Sequence, residues 1–189
     1  SQYHPHFLFN ALNTVYFQID ESNKAPRRTL EMISELLRYQ LYGGNQKVSI
    51  LQEIDYLKTY IALRKLRMSE RLRLRVEFPP ELNELNIYPL LFLPLVENAF
   101  KYVGGDYQLD IIMKWENNRI SLFIRNSIPE LSAEDEALRK SVDERQRKGI
   151  GLVNLRRRLS LLYPNKHRLE TRKEETEFVA ELMIEIEDI

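Results

Sequence analysis

Three short motifs carry residue types that can do chemistry, and the first contains a histidine. Residues 5–10 read PHFLFN, so His6 and Asn10 are one helical turn apart and share a helix face. A histidine on an exposed helix face is accessible, and its neutral imidazole can act as a nucleophile. Asn10 can hydrogen-bond the ring and fix its tautomer. The alternative is a plain surface histidine. His4 is a second candidate, but it precedes Pro5 and is expected outside the helix.

The second motif places polar residues on an apolar helix. Residues 94–102 read PLVENAFKY, with Glu97 and Asn98 side by side. A carboxylate and an amide are costly to bury without partners, and Mg²⁺ and nucleotide phosphates are suitable ones because Mg²⁺ prefers oxygen ligands. Lys101, three residues after Asn98, can reach a phosphate, and Tyr102 can stack on a base or ribose. The alternative is that these residues simply face solvent at the end of the helix.

The third motif is a glycine pair at the start of a predicted helix. Residues 149–154 read GIGLVN, and three arginines follow at 156–158. Glycines at a helix entry let backbone N–H groups approach an anion, which the helix N-terminus also favours electrostatically. The charged stretch before it is then predicted to be a lid over a bound nucleotide. The alternative for the glycines is a plain loop-to-helix turn. The alternative for the charged stretch is a disordered loop.

The first part of the chain is predicted to be helical. The first helix covers about residues 6–17, and the second is ended by the residues at 43–45. Ser49 and Gln52 have the spacing of a capping box, so a third helix is predicted to begin there. The predicted apolar stripe of the second helix is Leu30, Ile33, Leu37 and Leu41, and that of the third is Leu51, Ile54, Leu57 and Ile61.

Near residue 68 the spacing of apolar residues changes from helical to alternating, which predicts strands. Residues 72–78 alternate with charged residues, which indicates a strand with one wet face. A helix is predicted over 89–102, and two further strands over 109–115 and 120–124 are joined by a hairpin at 116–119. A helix from Gly149 to about Tyr163 and two closing strands complete an α+β fold.

The composition excludes some classes of function. Lys and Arg together number 28 in the 189 residues, and Asp and Glu together also number 28, so the formal net charge is zero. A general nucleic-acid or membrane-surface role needs an excess of basic residues, which the composition does not have. The absence of cysteine excludes disulfides, Cys-based zinc sites and thiol catalysis. No apolar run approaches the ~20 residues that span a bilayer. Because the first motif comes within a few residues of the start, we expect a fragment of a longer protein.

The order and spacing of the motifs resemble those of the LytS/YehU-type sensor histidine kinases. The match joins PHFLFN, LRY at 37–39, YI at 60–61, PLVENA and GIGLVN, and covers nearly the whole chain. The resemblance implies a helical hairpin for dimerisation and phosphotransfer over residues 1–68. It also implies a Bergerat-fold ATP-binding domain over 69–189, of the kind shared with gyrase, Hsp90 chaperones and MutL. That domain has a mixed sheet packed on helices, and its lid would lie at about 127–148.

The resemblance further implies a role for each motif residue, with ATP and Mg²⁺ as cofactors. His6 would be the phosphoacceptor, with Asn10 beside it. Asn98 would ligate Mg²⁺, and Glu97 would polarise water or the metal shell. The remaining positions would contact the nucleotide: Lys101 and Tyr102 on the same helix, Gly149 and Gly151 as the glycine box at the phosphates, and Asn154 and Arg158 after it.

Two positions depart from the pattern of related enzymes. Asn126 stands where many related ATPases have the aspartate of an Asp-x-Gly-x-Gly box, which accepts a hydrogen bond from the adenine amino group. The Asn126 carbonyl can still accept, but loss of the charge predicts affinity weaker by about 5- to 150-fold. Phe7 stands where many histidine kinases have an acid as general base, so the general base is unidentified.

The implied reaction transfers the γ-phosphoryl group of ATP to an imidazole nitrogen, mainly by positioning and charge neutralisation. The phosphoryl group would then pass to an aspartate of a separate response regulator. The chain is expected to form a homodimer and to have no nucleic-acid partner. Because relatives usually carry membrane segments upstream, we expect it to be the cytoplasmic portion of a bacterial inner-membrane sensor, anchored through a segment outside these residues.

Two other functions compete with an active kinase. One is a non-catalytic signalling module of the same fold that acts by dimerisation with weak or lost ATP binding, which Asn126 favours. The other is a Bergerat-fold ATPase or serine kinase unrelated to phosphorelay. The His6 motif and its helical hairpin argue against the second, because such enzymes need no such element.

Overall fold

The computed structural model describes residues 4–42, 46–80, 82, 85–130 and 150–187. Within these ranges the helices are α1 (Pro5–Gln18), α2 (Lys24–Tyr42), α3 (Ile50–Lys65), α4 (Leu93–Tyr102) and α5 (Ile150–Leu162). The strands are β1 (Val48–Ser49), β2 (Arg73–Glu77), β3 (Asn86–Ile87), β4 (Gln108–Glu116), β5 (Arg119–Ser127), β6 (His167–Lys173) and β7 (Glu177–Glu185). Among the described helices, none combines the length and hydropathy needed to cross a membrane.

The main sheet has five strands in the order β2-β4-β5-β7-β6. β2 and β4 run parallel, with Val76 opposite Ile111, and the other neighbours are antiparallel. A separate antiparallel pair joins β1 to β3, with Val48 opposite Ile87. This is the mixed α+β architecture that the sequence predicts.

The core lies between the inner face of this sheet and three helices. Alternate residues of β4 and β5 are buried on that face, which confirms the two predicted strands. They form one hydrophobic cluster with residues of α3, α4 and α5. Since α3 precedes residue 68, residues on both sides of the predicted domain boundary share this core. The boundary at residue 68 therefore stays a prediction.

The predicted apolar stripes of α2 and α3 are partly wrong. In α3 Leu51 is 52% exposed, whereas Ile50 is fully buried, because the Ser49 cap starts the helix at Ile50 and turns Leu51 outward. In α2 the buried residues are Met32 and Leu36, since this side of the helix lies towards α3. The predicted stripe residue Leu41 is largely exposed.

Two predicted boundaries also differ from the structure. The fourth helix begins at Leu93 rather than Pro89, because Leu90 has a φ of +62°, which a right-handed helix does not permit. By contrast, the hairpin after β4 is confirmed. Asn117 and Asn118 have φ values of +51° and +59°, the backbone that a two-residue hairpin turn requires.

The capping box at the start of α3 is confirmed and stabilises that end of the helix. The Leu51 N–H donates to Ser49 Oγ at 3.2 Å, and the Ser49 N–H donates to Gln52 Oε1 at 3.1 Å. These bonds satisfy backbone donors that the first turn of a helix leaves without partners.

We expect Ser49→Ala to lower the free energy of unfolding by about 1 kcal/mol, because the cap is lost. Urea denaturation followed by circular dichroism measures it. Ser160→Ala is the matched control, because the Ser160 hydroxyl donates to the Arg156 carbonyl on the exposed side of α5, and such surface changes stay within about 0.5 kcal/mol. Equal stability of Ser49→Ala and the parent protein would contradict the capping role.

Candidate functional site

The histidine of the first motif lies in the first turn of an exposed helix. His6 follows Pro5, the first residue of α1, and its side chain is exposed, as is that of Asn10 one turn later. α1 has no buried residue and packs against α2. Tyr16 of α1 donates to the Glu31 carboxylate at 3.1 Å. The helix therefore presents His6 to solvent while its neighbour α2 holds it in place.

The polar residues of the second motif lie at the edge of the helix that covers the sheet. Five apolar residues of α4 are buried in the core, including Val96, Ala99 and Phe100. Asn98 is half-buried, and Lys101 and Tyr102 are exposed, with Lys101 Nζ 5.1 Å from the centre of the Tyr102 ring. The burial of the apolar face thus turns these polar groups towards an accessible rim.

Glu97, although adjacent to Asn98, is directed towards α3. Desolvation between the helices raises the pKa of its carboxyl, and the positive charge of Arg64 opposes that effect. Burial raises the pKa of Tyr56 to about 12, with the Glu97 charge contributing, and likewise raises the pKa of Tyr60. Tyr56, Tyr60 and Arg64 are spaced by four residues and form one stripe of α3. The part predicted for Glu97 in polarising water or a metal shell stays a prediction.

Asn126 lies on the inner face of the sheet, near the end of β5. It is 1% exposed and sits between Leu109 of β4 and Phe178 of β7 in the register. Its amide nitrogen donates a long hydrogen bond of 3.4 Å to the Ser127 carbonyl. A buried amide with so weak a bond is available to a polar ligand.

A glycine pair that the sequence reasoning missed ties α4 to the end of β5. The Gly104 N–H donates to the Ser127 carbonyl at 2.9 Å, and Ser127 Oγ donates back to the Gly104 carbonyl at 2.7 Å. A Cβ on Gly104 would lie 2.9 Å from the Pro129 ring, and Gly105 has a φ of +60°. The loop therefore brings the end of α4 against the strand end that holds Asn126. A Gly-Gly pair directly after a helix is a turn signal that could have revealed it.

The third motif is only partly within the described residues. Gly149 lies outside them, as do residues 131–148 of the predicted lid. Gly151 lies in the first turn of α5, and within the described part of the chain no heavy atom would come within 4 Å of a Cβ there. Asn154 is exposed one turn later. α5 packs against α4, so the entry of one helix lies beside the helix that carries Asn98.

Arg158 makes contacts within the protein that the sequence reasoning did not foresee. Its guanidinium donates to the Leu90 carbonyl at 3.2 Å and to the Pro89 carbonyl at 3.0 Å. These bonds connect α5 to the segment that precedes α4. The nucleotide contact predicted for Arg158 stays a prediction.

Glu53 is a buried polar residue that the sequence reasoning missed. It lies on α3 and is fully buried. Its carboxylate accepts from the Tyr39 hydroxyl at 2.5 Å and from the Leu90 N–H at 2.8 Å. The signal was present, because Glu53 falls between Ile50 and Ile54 on the face that carries the buried apolar stripe of α3.

The donor atoms fit a magnesium ion shared with a ligand better than one held by the protein alone. The described residues contain no group of three His, Cys, Asp or Glu side chains placed to hold a metal. Nucleotide-binding proteins commonly hold Mg²⁺ through one or two protein oxygens together with phosphates and waters. The half-buried Asn98 amide oxygen is a donor of that kind.

The sequence of the chain is similar to those of known histidine kinases. Residues 1–72 match the family model described as histidine kinase. The sensor protein kinase HptS of Staphylococcus aureus strain USA300 is 29% identical over 173 residues, which is 89% of this chain and 33% of that protein. HptS of strain NCTC 8325 matches equally. The chain thus spans about a third of the length of these curated relatives.

Two solved histidine kinase structures have a similar fold. The histidine kinase domain of the blue-light activated kinase EL346 from Erythrobacter litoralis has a TM-score of 0.50 at 12% identity, over 98% of this chain and 89% of that one. Full-length ShkA, solved in complex with AMPPNP, has a TM-score of 0.50 at 14% identity, over 96% of this chain and 44% of that one. The resemblance that the motifs indicate is therefore confirmed as similarity: the chain is similar in sequence to a sensor histidine kinase and similar in fold to histidine kinase domains.

Proposed function

We propose that this chain is the catalytic core of a sensor histidine kinase that phosphorylates His6 from ATP. The observation that carries the proposal is the packing of α4 against both β5 and α5. α4 carries half-buried Asn98, β5 carries buried Asn126, and α5 carries Gly151 in its first turn. An amide at an accessible edge, a buried amide and a helix N-terminus suit a metal ion, a base and a phosphate respectively.

His6 supplies the nucleophile. Its exposed ring is free to approach a nucleotide held elsewhere, and its neutral form has a lone pair on one nitrogen. That lone pair attacks the γ-phosphorus of ATP, and a nitrogen–phosphorus bond forms. The bond from the γ-phosphorus to the bridging oxygen breaks, and ADP leaves with its electron pair. The ring then releases its remaining N–H proton to solvent or to a base.

The residues of α4 and α5 hold the nucleotide. Asn98 would bind Mg²⁺ together with the phosphates, and the metal when bound supplies neutralisation of phosphate charge. Lys101 adds positive charge near the phosphates, and Tyr102 offers a ring for stacking. Gly149 and Gly151 let backbone N–H groups approach the phosphates at the start of α5. Asn154 lies one turn further along this helix and belongs to the same end of the site.

Asn126 would receive the adenine. It replaces the aspartate of related ATPases, and its carbonyl oxygen can accept from the adenine amino group as a neutral acceptor. Because β5 buries Asn126 beside the core, the base would enter an apolar pocket with one polar contact. The expected consequence is weaker nucleotide binding than in relatives with an aspartate, rather than loss of the site.

The remaining parts of the proposal concern partners and location. Phe7 and Phe17 of α1 are 71% and 78% exposed, which suits packing against a second copy of the chain in a homodimer. The phosphoryl group on His6 would pass to an aspartate of a response regulator. The full protein would be a bacterial inner-membrane sensor with this portion in the cytoplasm.

A non-catalytic signalling module is the second candidate, favoured by two observations. Asn126 is neutral, and Arg158 is bound to backbone carbonyls of its own chain. Folded protein that binds no nucleotide with Mg²⁺ present would select this candidate.

His6→Gln should abolish formation of acid-labile phosphate on incubation with ATP, because the nucleophilic nitrogen is removed while the fold is unaffected. Labelled γ-phosphate followed through acid and base treatment measures it. His4→Gln is the matched control, because His4 is also exposed and lies just outside α1, and it should keep full labelling. Acid-labile phosphate on His6→Gln protein would exclude His6 as the acceptor.

Asn98→Ala should remove the magnesium dependence of nucleotide binding and lower the affinity about 10-fold or more, because one oxygen ligand is lost. Calorimetry with an ATP analogue, with and without Mg²⁺, measures it. Asn13→Ala, an exposed asparagine of α1, is the control and should bind as the parent protein does. Unchanged affinity of Asn98→Ala would remove Asn98 from the site.

Gly151→Ala should weaken nucleotide binding without lowering stability. Alanine in a helix is favoured over glycine by about 0.5–1 kcal/mol, and the position has room for a Cβ among the described residues. Gly105→Ala is the contrast, because its φ of +60° and a backbone oxygen 2.8 Å from the new Cβ predict lost stability. Thermal unfolding and nucleotide titration of both variants decide it. Unchanged nucleotide affinity in a stable Gly151→Ala protein would argue against a phosphate site there.

A further inference from the structure

A buried polar cluster around the Glu53 carboxylate contains residues from four separate parts of the fold. It consists of Tyr39 on α2, Glu53 on α3, the backbone of Leu90 before α4, and Arg158 on α5, and is called the Glu53 cluster below. The Tyr39 hydroxyl and the Leu90 N–H donate to the two oxygens of Glu53, at 2.5 and 2.8 Å. Arg158 donates to the Leu90 carbonyl at 3.2 Å. The same residue, Leu90, therefore contacts Glu53 through its N–H and Arg158 through its carbonyl.

The backbone at Leu90 is shaped for this double contact. Its φ of +62° is uncommon for a residue with a side chain, because the left-handed region crowds the Cβ. The four-residue segment from Pro89 to Phe92 leads directly into α4, which carries Asn98. The cluster thus sets the approach to one helix of the proposed nucleotide site and, through Arg158, the position of the other.

The buried charge of Glu53 favours the one arrangement of α2 and α3 in which its donors are in place. Burial raises the pKa of the Glu53 carboxyl, and the Tyr39 hydroxyl, the Leu90 N–H and the Arg158 charge all oppose that effect. Burial also raises the pKa of Tyr39, whose hydroxyl is the donor in this bond. A buried carboxylate that loses a partner is penalised strongly. Movement of α2 away from α3 would therefore leave Glu53 with one donor fewer in an apolar surrounding.

Apolar contacts alone would hold α2 less specifically. Leu36 of α2 packs with Tyr56 and Leu93 in a small cluster next to Glu53. The rings of Tyr39 and Tyr56 are stacked with centres 4.6 Å apart, and Gln40 donates to the Tyr56 hydroxyl at 2.7 Å. Apolar and stacking contacts are weakly directional, whereas the Tyr39 hydroxyl meets Glu53 in one orientation only.

We propose that Glu53 is a positioning residue that clamps the α1–α2 arm, and with it His6, in one orientation on the sandwich. The arm is itself connected, because Tyr16 of α1 bonds Glu31 of α2 and α1 packs along α2. Loss of the Tyr39 hydroxyl leaves the Leu90 and Arg158 bonds on the side of the nucleotide site in place and lets the arm sample other orientations. The role in phosphoryl transfer rests on the proposed kinase function, whereas the clamp itself is a property of the fold.

Tyr39→Phe tests the clamp with the smallest change, because it removes one hydroxyl and keeps the ring that stacks on Tyr56. The chain has no cysteine, so spin labels can be attached to Asn13→Cys and Lys114→Cys, both exposed positions, one on the arm and one on the sheet. Pulsed electron spin resonance on full chains diluted with unlabelled protein then gives the distance distribution between arm and sandwich. We expect it to broaden in Tyr39→Phe.

Kinetics supplies the second readout. At saturating ATP the rate of His6 phosphorylation should fall about 10-fold or more in Tyr39→Phe, with nucleotide affinity unchanged within about 2-fold, because a hydrogen bond to a charged acceptor is lost outside the nucleotide site. Glu53→Gln retains an acceptor for Leu90 and a group that can pair with Tyr39, so its rate should lie between the parent protein and Tyr39→Phe. Thr29→Val, which removes an exposed hydroxyl bond to the Ala25 carbonyl within α2 and breaks no contact between elements, should change neither readout.

The two readouts separate failure of the clamp from failure of the kinase. An unchanged distance distribution in Tyr39→Phe would overturn the clamp, whatever the kinetics show. A broadened distribution with an unchanged phosphorylation rate would overturn the positioning role. If the parent protein shows no phosphorylation while Tyr39→Phe broadens the distribution, the clamp is supported and the kinase proposal fails.

Discussion

The apolar inner face of the five-stranded sheet is the constraint on which the rest of the structure depends. Leu109, Ile111 and Leu122 are almost fully buried on this face, and removing such residues from water is the main driving force for folding. α3, α4 and α5 lie across the face and contribute their apolar stripes to the same core. Polar residues such as Asn98 of α4 and Asn154 of α5 are consequently left at the edges of the helices, where a ligand can reach them.

This division between core and edge explains where the chemistry of the chain lies. α4 buries Val96 and Phe100 and so leaves Asn98 at its edge. The Gly104–Gly105 turn then brings the end of the helix against the strand that holds Asn126. His6 lies on a separate arm whose first helix buries no side chain. A reaction between His6 and a nucleotide bound near Asn98 and Asn126 would therefore depend on the orientation of the α1–α2 arm relative to the sandwich.

The contact between the α1–α2 arm and the sandwich contains a buried charge. Glu53 is fully buried, and the cost of desolvating it is offset by two hydrogen-bond donors and by the positive charge of Arg158. Replacing the cluster by apolar residues could give a fold of similar stability, but such a contact would specify orientation less strictly. A buried carboxylate that accepts hydrogen bonds from α2 and from the segment before α4 is suited to positioning because each donor adds a directional condition.

By itself the sequence determined the features that depend on residues close together in the chain. The Ser49–Gln52 capping box, the Asn117–Asn118 hairpin and the alternating strands follow from local backbone and side-chain preferences, and the motifs indicated the resemblance to sensor histidine kinases. Tertiary structure alone decided the start of α4 after Leu90 and the contacts of Arg158. It also decided that Glu53 is buried and bonded to α2 and to the segment before α4, rather than exposed on the surface. These features depend on partners that are distant in sequence, such as Tyr39 for Glu53 and Pro89 for Arg158, and no local pattern specifies which groups will meet.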